Sequence, residues 1–255
     1  MNVKMLSKKG NRVQFLLEDS TPAFANALRR AMISEVPVLA VDWVDFEENG
    51  SALFDEMIAH RLAMIPLEFD PKKFNRPMGC KCKGAGCTNC QVILALEKTG
   101  PAMVLSGDMK STDKTVKATD PGFPIVELLE NQRIKFQAVA RLGIGKDHAK
   151  YHAANVSYQY YPVISKLKPG EGKDFETCPK NMVELKAGKP VIADMARLDI
   201  AGSCKIGDFK ISLDPTKFLF KVESISGLDP VYIIETAAEA IANKAAEFRA
   251  ELKKI

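Results

Sequence analysis

The sequence predicts an α+β protein, and three observations predict it. A capped helix near one end begins at Pro22 and stops before Pro37, and a long amphipathic run follows Asp229 and Pro230 near the other. Between them lie strand-like apolar runs separated by breaker-rich loops. At 255 residues the chain is close to the size, roughly 250–300 residues, at which a single core stops growing, so two or three subdomains are expected. An apolar fraction of 46% is ordinary for a folded protein. The formal charge of +4 permits contact with nucleic acid without requiring it, and no dense Lys/Arg block marks a DNA face. The N-terminal residues form no signal peptide, and no stretch approaches a membrane-spanning helix, so a cytoplasmic protein with no membrane contact is expected. In that compartment six cysteines read as metal ligands or free thiols rather than disulfides.

Taken in order, residues 3–17 mix apolar and polar positions as a strand pair does, with Lys8-Lys9-Gly10-Asn11 as the hairpin turn. Ser20 or Thr21 caps the first helix, and Pro22 fits its first turn because a missing N–H costs nothing there. Pro37 ends it by pushing the preceding residue out of the α region. Phe24, Leu28 and Ala31 make its apolar stripe, and Arg29 and Arg30 sit beside that stripe; spacing alone reads them as a solvated face. Residues 38–44 form a buried strand, and residues 53–64 a second helix ended before Pro66. Residues 69–89 are loop-rich, and 92–97, 135–141 and 156–161 read as strands. A breaker-rich linker at 167–174 precedes a small insertion over roughly 175–206. The last helix carries one stripe of Ile234, Ala237, Ala238, Ile241, Ala245, Phe248 and Leu252 opposite a Glu/Lys/Arg-rich face. Such a helix packs on its own sheet or on a partner, and the pattern does not choose.

The chemistry concentrates in Cys80-Lys-Cys82-Lys-Gly-Ala-Gly-Cys87-Thr-Asn-Cys90. Four thiolates satisfy a tetrahedral metal, and Gly84 and Gly86 let the backbone bring the sulfurs together. Lys81 and Lys83 offset part of the charge, and backbone N–H groups in such a loop can donate to the sulfurs. The ligand set suits Zn²⁺ or an iron–sulfur cluster. With no position left open the site reads as structural. Other motifs fail. Gly143-Ile-Gly145-Lys146 lacks the Walker spacing and its Ser/Thr. His60 reads as a packed or capping residue, and His148 and His152 as surface residues beside no carboxylate–nucleophile set. Asp42, Asp45 and Asp55 are too scattered to hold the Mg²⁺ of a polymerase site, so the chain is not a catalytic centre. Residues alone leave two rivals: a ferredoxin-like redox module using all six cysteines, and a stand-alone zinc nucleic-acid-binding protein. The second is weakened by the mild charge and the lack of aromatic platforms among basic residues.

The string Asn26-Ala-Leu-Arg-Arg-Ala-Met-Ile-Ser-Glu-Val-Pro-Val-Leu-Ala-Val-Asp42 resembles the assembly helix of the α-like subunits of cellular RNA polymerases, specifically the archaeal D-type. Leu53-Phe-Asp-Glu-Met-Ile-Ala-His-Arg-Leu-Ala-Met-Ile-Pro-Leu67 is similar to the next helix of that family. Gly143-Ile-Gly-Lys-Asp-His-Ala-Lys150 is similar to its Gly-Lys-x-His-Ala-Lys turn, and Phe218-Leu-Phe-Lys-Val-Glu-Ser-Ile-Ser-Gly227 to the strand before its last helix. The blocks follow in family order along nearly the whole chain.

The resemblance implies a non-catalytic subunit of DNA-directed RNA polymerase, a nucleotidyltransferase complex, that touches DNA only through the whole assembly. It implies a discontinuous dimerisation module made by residues 1–43 and 214–255, and an inserted β-rich domain of residues 44–167 and 207–213 carrying the cysteine loop. Residues 168–206 become a degenerate ferredoxin-like insertion. The module pairs with subunit L through Phe24, Leu28, Ile234, Ala238, Ile241, Ala245 and Phe248. The platform then recruits the two largest subunits, with the small zinc subunits N and P, and Arg29 and Arg30 meet a large subunit. The loop is similar to the zinc loop of the eukaryotic counterpart, which tilts the metal from iron–sulfur to zinc. Phe175-Glu-Thr-Cys178-Pro-Lys and Ala201-Gly-Ser-Cys204-Lys resemble fragments of ferredoxin half-sites. Two remnant ligands, Cys178 and Cys204, are too few for a cluster, so the favoured expectation is two free thiols, with a disulfide or a cluster using outside ligands as alternatives.

Overall fold

The computed structural model describes residues 1–167, 176–178, 183–186, 189–192 and 203–254. In chain order the elements begin with β1 (Asn2–Lys9), β2 (Arg12–Glu18), α1 (Pro22–Ser34), β3 (Val38–Asn49) and α2 (Asp55–Met64). There follow β4 (Leu67–Glu68), β5 (Gln91–Thr99), β6 (Ala102–Leu105), β7 (Lys110–Ser111), β8 (Lys117–Ala118) and β9 (Pro124–Leu128). The rest are β10 (Arg133–Gly143), β11 (Ala154–Lys166), β12 (Val183–Lys186), β13 (Lys189–Ile192), β14 (Cys204–Ile206), β15 (Phe209–Ser224) and α3 (Pro230–Leu252). The chain forms two compact units, residues 1–29 with 156–222 and residues 30–155 with 223–255.

In the first unit β1 and β2 pair as a hairpin about Gly10, whose φ of +54° suits a residue without a Cβ. The sheet runs β1-β2-β15-β11, with β14 also paired to β15. On β2, Val13, Phe15 and Leu17 alternate inward while Arg12 and Gln14 face solvent, the period of a half-buried strand. Phe15 stacks on Phe220 with ring centres 4.8 Å apart, and Tyr158 packs against Phe218 and Phe220 at 5.6 and 5.4 Å. The aromatic core therefore joins strands from both ends of the chain.

Helix α1 opens where its cap predicts, with the Phe24 N–H donating to Thr21 Oγ1 at 3.3 Å. It closes at Ser34, whose hydroxyl donates to the Arg30 carbonyl at 2.8 Å. Its buried residues are Ala25, Leu28, Ala31 and Met32. Phe24 is only half-buried, so the stripe expected from Phe24 is rotated by one position onto Ala25.

The second unit is built on a sheet in the order β3-β10-β5-β7. Bulges at Lys135/Phe136 and Val139/Ala140 interrupt the β10–β3 register. Helix α2 packs on β3 through Ile58 and Leu62, both fully buried. It starts at Asp55 rather than at residue 53, because Asn49 Nδ2 donates to the Leu53 carbonyl at 2.9 Å and to Asp55 Oδ1 at 2.6 Å, holding residues 49–53 as a turn. Helix α3 is capped by Asp229, which accepts from the Val231 N–H at 2.8 Å, and buries Pro230, Ile233 and Ala237. Lys244 on α3 pairs with Glu35 at the end of α1 at 2.5 Å.

Strands β11 and β15 are long strands of the β1–β2 sheet, and residues 213 and 214 lie inside β15. The favoured expectation of free thiols at Cys178 and Cys204, and with it their role as remnant cluster ligands, gives way to a disulfide. The cause is local backbone pairing. Cys178 N–H donates to the Lys205 carbonyl at 2.8 Å and Lys205 N–H to the Glu176 carbonyl at 2.8 Å, which sets the two Cα atoms 4.9 Å apart. Cys178 and Cys204 share a small core with Val183 and Ile211. Of the expected ferredoxin-like insertion, residues 168–175, 179–182, 187–188 and 193–202 lie outside the described residues; the described part includes the antiparallel pair β12–β13.

Candidate metal centre and family relationship

The cysteine loop hangs between a short turn at Pro77–Gly79 and the start of β5. Three residues with positive φ, Lys83 at +52°, Gly84 at +85° and Gly86 at +91°, reverse the backbone twice within it. The reversals are held by Lys83 N–H to the Cys80 carbonyl at 2.9 Å and Ala85 N–H to the Cys82 carbonyl at 3.1 Å. A second turn closes with Cys90 N–H and Gln91 N–H both donating to the Cys87 carbonyl, at 2.9 and 3.0 Å. The four sulfurs converge: Cys80 and Cys87 lie 3.5 Å apart, Cys82 and Cys90 3.5 Å, Cys87 and Cys90 3.8 Å. All four lie within 4.8 Å of one another.

That spacing fits a metal. A tetrahedron with Zn–S bonds of about 2.3 Å has S···S edges of about 3.8 Å. The electrostatics fit as well. Hydrogen bonding from the Cys90 thiol draws Cys82 down to about 6, while burial pushes the Cys90 thiol up. One thiol thus ionises at the expense of its neighbours, and full deprotonation of so tight a cluster calls for a cation at its centre. The Cys87 N–H donates to Cys90 Sγ at 3.2 Å, the backbone donor that a thiolate-rich loop requires. Cys80 and Cys90 are buried and Cys82 and Cys87 half-buried. Four cysteines therefore form a cluster that can hold one metal ion.

Around it the loop is anchored to its unit. Arg76 pairs with Asp147 at 3.1 Å, and Lys73 with Asp113. Gln91 Oε1 accepts from Arg141 Nη2 at 3.0 Å, and the Arg141 guanidinium lies 4.0 Å from the Trp43 ring centre. None of these partners was flagged by sequence, because each pair is separated along the chain and meets only through strand register or loop packing.

The remaining candidates are dispersed. Arg29 donates to Asn26 Oδ1 at 3.2 and 3.0 Å, while Arg30 is exposed. Leu28 is buried, Ile234 and Ile241 are half-buried, and Ala238, Ala245 and Phe248 are exposed, Phe248 by 66%. His60 is exposed rather than packed or capping, pointing away from the buried Ile58 and Leu62 side of α2. His148 Nδ1 accepts from Lys150 N–H at 3.1 Å, and His152 lies beside Gly145. Asp42 accepts from Lys150 Nζ at 2.9 Å and from the Tyr151 hydroxyl at 3.2 Å, so it serves a structural network.

Residues 44–164 match the RNA polymerase Rpb3/RpoA insert domain. Across the full chain the sequence is similar to DNA-directed RNA polymerase subunit Rpo3 of Archaeoglobus fulgidus, 37% identical with 99% of this chain and 98% of that one covered. It is 39% identical to Rpo3 of Pyrococcus furiosus over 100% of this chain and 98% of the relative. Rpo3 of Methanothermobacter thermautotrophicus is 33% identical, with 96% of each chain covered. The chain belongs to the Rpo3 family. Its members are the α-like archaeal subunits of RNA polymerase, and this chain combines a mixed, mostly β architecture with the insert domain of that family over residues 44–164. No described helix is long and apolar enough to cross a membrane.

Proposed function

We propose that this Rpo3-family subunit of DNA-directed RNA polymerase is the assembly platform of its enzyme: it pairs with subunit L, and the pair recruits the two largest subunits together with subunits N and P. The observation that carries this reading is the uncovered stripe on α3. Pro230, Ile233 and Ala237 bury one side of the helix, whereas Ile234, Ala238, Ile241, Ala245, Phe248 and Leu252 remain partly or fully exposed on an adjoining side. A continuous apolar row of this length, left open along a helix, is matched to another helix. Helix α1 supplies the second partner-facing element, with Phe24 at its margin and Leu28 within its packed side. On this reading the two chain ends, residues 1–43 and 214–255, provide the dimerisation surfaces. Arg29 and Arg30 meet a large subunit, where two adjacent guanidiniums suit carboxylates better than lysines would.

In the same reading Cys80, Cys82, Cys87 and Cys90 hold one structural Zn²⁺. The ion adds folding energy to a segment that has little apolar core of its own. An iron–sulfur cluster is the lesser alternative for the same four ligands. The protein works in the cytoplasm and meets DNA only through the complete polymerase.

The direct test is the composition of the complex that a tagged copy brings down from its native cell extract. Two very large polymerase subunits with an approximately equal amount of a small partner is the expected result. Recovery of the chain alone or as a homodimer would overturn the platform reading.

A further inference from the structure

The cysteine loop joins its sheet at a single residue, and that residue is held by a chain of contacts leading away from the sulfurs. Gln91 follows Cys90 directly, and its N–H closes the loop on the Cys87 carbonyl at 3.0 Å. Its side chain turns back over Gly86 so closely that a Cβ there would stand 2.5 Å from Oε1. The same Oε1 accepts from Arg141 Nη2 at 3.0 Å. Arg141 is the register partner of Gln91 across β5 and β10, so the sheet itself delivers it. Its guanidinium lies over the ring of Trp43 on β3 at 4.0 Å, and its Nε is buried with no hydrogen-bond partner among the described residues. The half-buried guanidinium, with its Nε out of solvent, is held here by the aromatic face and by one amide, and among the described residues it makes no ion pair. Only a planar cation can lie on the indole and still present an in-plane donor to Gln91.

We propose that Trp43, Arg141 and Gln91 form a positioning strap for the metal centre, clamping the Gly86–Gln91 half of the loop so that Cys87 and Cys90 stay in ligand geometry. None of the three is a ligand. The strap sets how slowly the ion leaves, and its positive charge is bound to Gln91, the residue next to Cys90, beside a tetrathiolate of net negative charge. This inference rests on the loop holding a metal.

The experiment uses the full chain loaded with Zn²⁺ and challenged with excess chelator, released zinc being read by a colorimetric indicator. Arg141→Met keeps the length and removes the planar cation; Gln91→Leu keeps the bulk over Gly86 and removes the acceptor. Each variant is expected to release zinc faster on the order of tenfold, the usual scale for groups that orient ligands. The double variant is expected to be no faster than the quicker single one, because both changes cut the same strap. Release at the wild-type rate in both variants overturns the proposal, and so does a fully additive double variant. Should Arg141→Met fail to fold, Gln91→Leu decides in the same way. A wild-type chain that takes up no zinc refutes the metal reading instead. In that event the metal-free protein decides the strap through Cys87 and Cys90 labelling by a thiol-reactive chromogenic disulfide: faster labelling in the variants supports it, and equal labelling sinks it.

Discussion

Gly145 offers the sharpest test of how the end of α1 is held. A Cβ placed on it would lie 2.6 Å from the Ile33 carbonyl oxygen, 2.5 Å from His152 Cδ2 and 3.0 Å from the Ser34 Cα. Two of those three atoms belong to the backbone at the end of α1, so no side-chain rotation relieves the contact. Gly145→Ala must push residues 144–152 away from the helix, and the first bond to stretch is Lys146 N–H to the Ser34 carbonyl, 3.0 Å in the native chain. Overpacking of this kind costs about 1–3 kcal/mol, and the lost hydrogen bond about 0.5–1.5 kcal/mol more. The expected total of about 2–4 kcal/mol corresponds to a fall of roughly 4–16 °C in the thermal midpoint for a unit of this size. Gly79 provides the control, since nothing lies within 4 Å of its added Cβ. Gly79→Ala should be neutral or slightly stabilising. Thermal unfolding followed by far-UV circular dichroism compares the two. A Gly145→Ala protein as stable as its Gly79→Ala counterpart would refute the argument that this loop locks the end of α1.

Four further outcomes are expected. Arg29→Glu with Arg30→Glu should leave the pair with subunit L intact and block recruitment of the second-largest subunit in reconstitution, since reversing desolvated interface charges costs several kcal/mol; normal assembly counts against it. Cys87→Ser with Cys90→Ser should abolish metal retention, read by elemental analysis, while pairing with subunit L survives; equal loss of pairing would show that the loop and the pairing surface are one unit. Phe248→Asp should weaken that pairing at least about tenfold in a titration, because it forfeits about 1–2 kcal/mol of apolar burial and places a charge on the stripe. Asp113→Asn should matter only above strong acid. Hydrogen bonding from Lys73, then from Thr115, holds the Asp113 carboxyl at about 2, below its usual value of 3.8, so its stabilisation is complete above about pH 4 and lost as pH falls through about 2. A wild-type advantage that persists unchanged at pH 2 would contradict this.

What could be read from the chain was whatever is decided locally. Thr21 with Pro22, and Asp229 with Pro230, announce their helices because a cap and a missing N–H act within one turn. The four loop cysteines announce a metal-sized cluster because glycine spacing alone folds them together. The Gly10 turn likewise follows from its neighbours. Contacts carried by long-range register were not legible. Arg141 reaches Gln91 only because β10 and β5 pair in one particular register, and nothing near Arg141 in the chain hints at it. The pairing of β15 with the first hairpin and with β11 was hidden for the same reason. Phe24 looked like the head of the helical stripe, yet Ala25 took the buried place, a choice made by the packing surface rather than by periodicity. The Cys178–Cys204 bond was hidden because its geometry comes from a backbone pairing between residues 176–178 and 204–205.

That bond also sets two chemical demands against each other within one polypeptide. The cysteines at 80, 82, 87 and 90 must be kept as thiols to receive an ion, while those at 178 and 204 must have given up their hydrogens to stay joined. A reductant that opens the second set frees a 26-residue span, returning about 3–4 kcal/mol of chain entropy to the unfolded state. An oxidant that closes the span threatens to crosslink the metal loop, whose sulfurs already lie as near as 3.5 Å. An ion seated in the loop would shield those four thiols from the oxidant that the other pair requires.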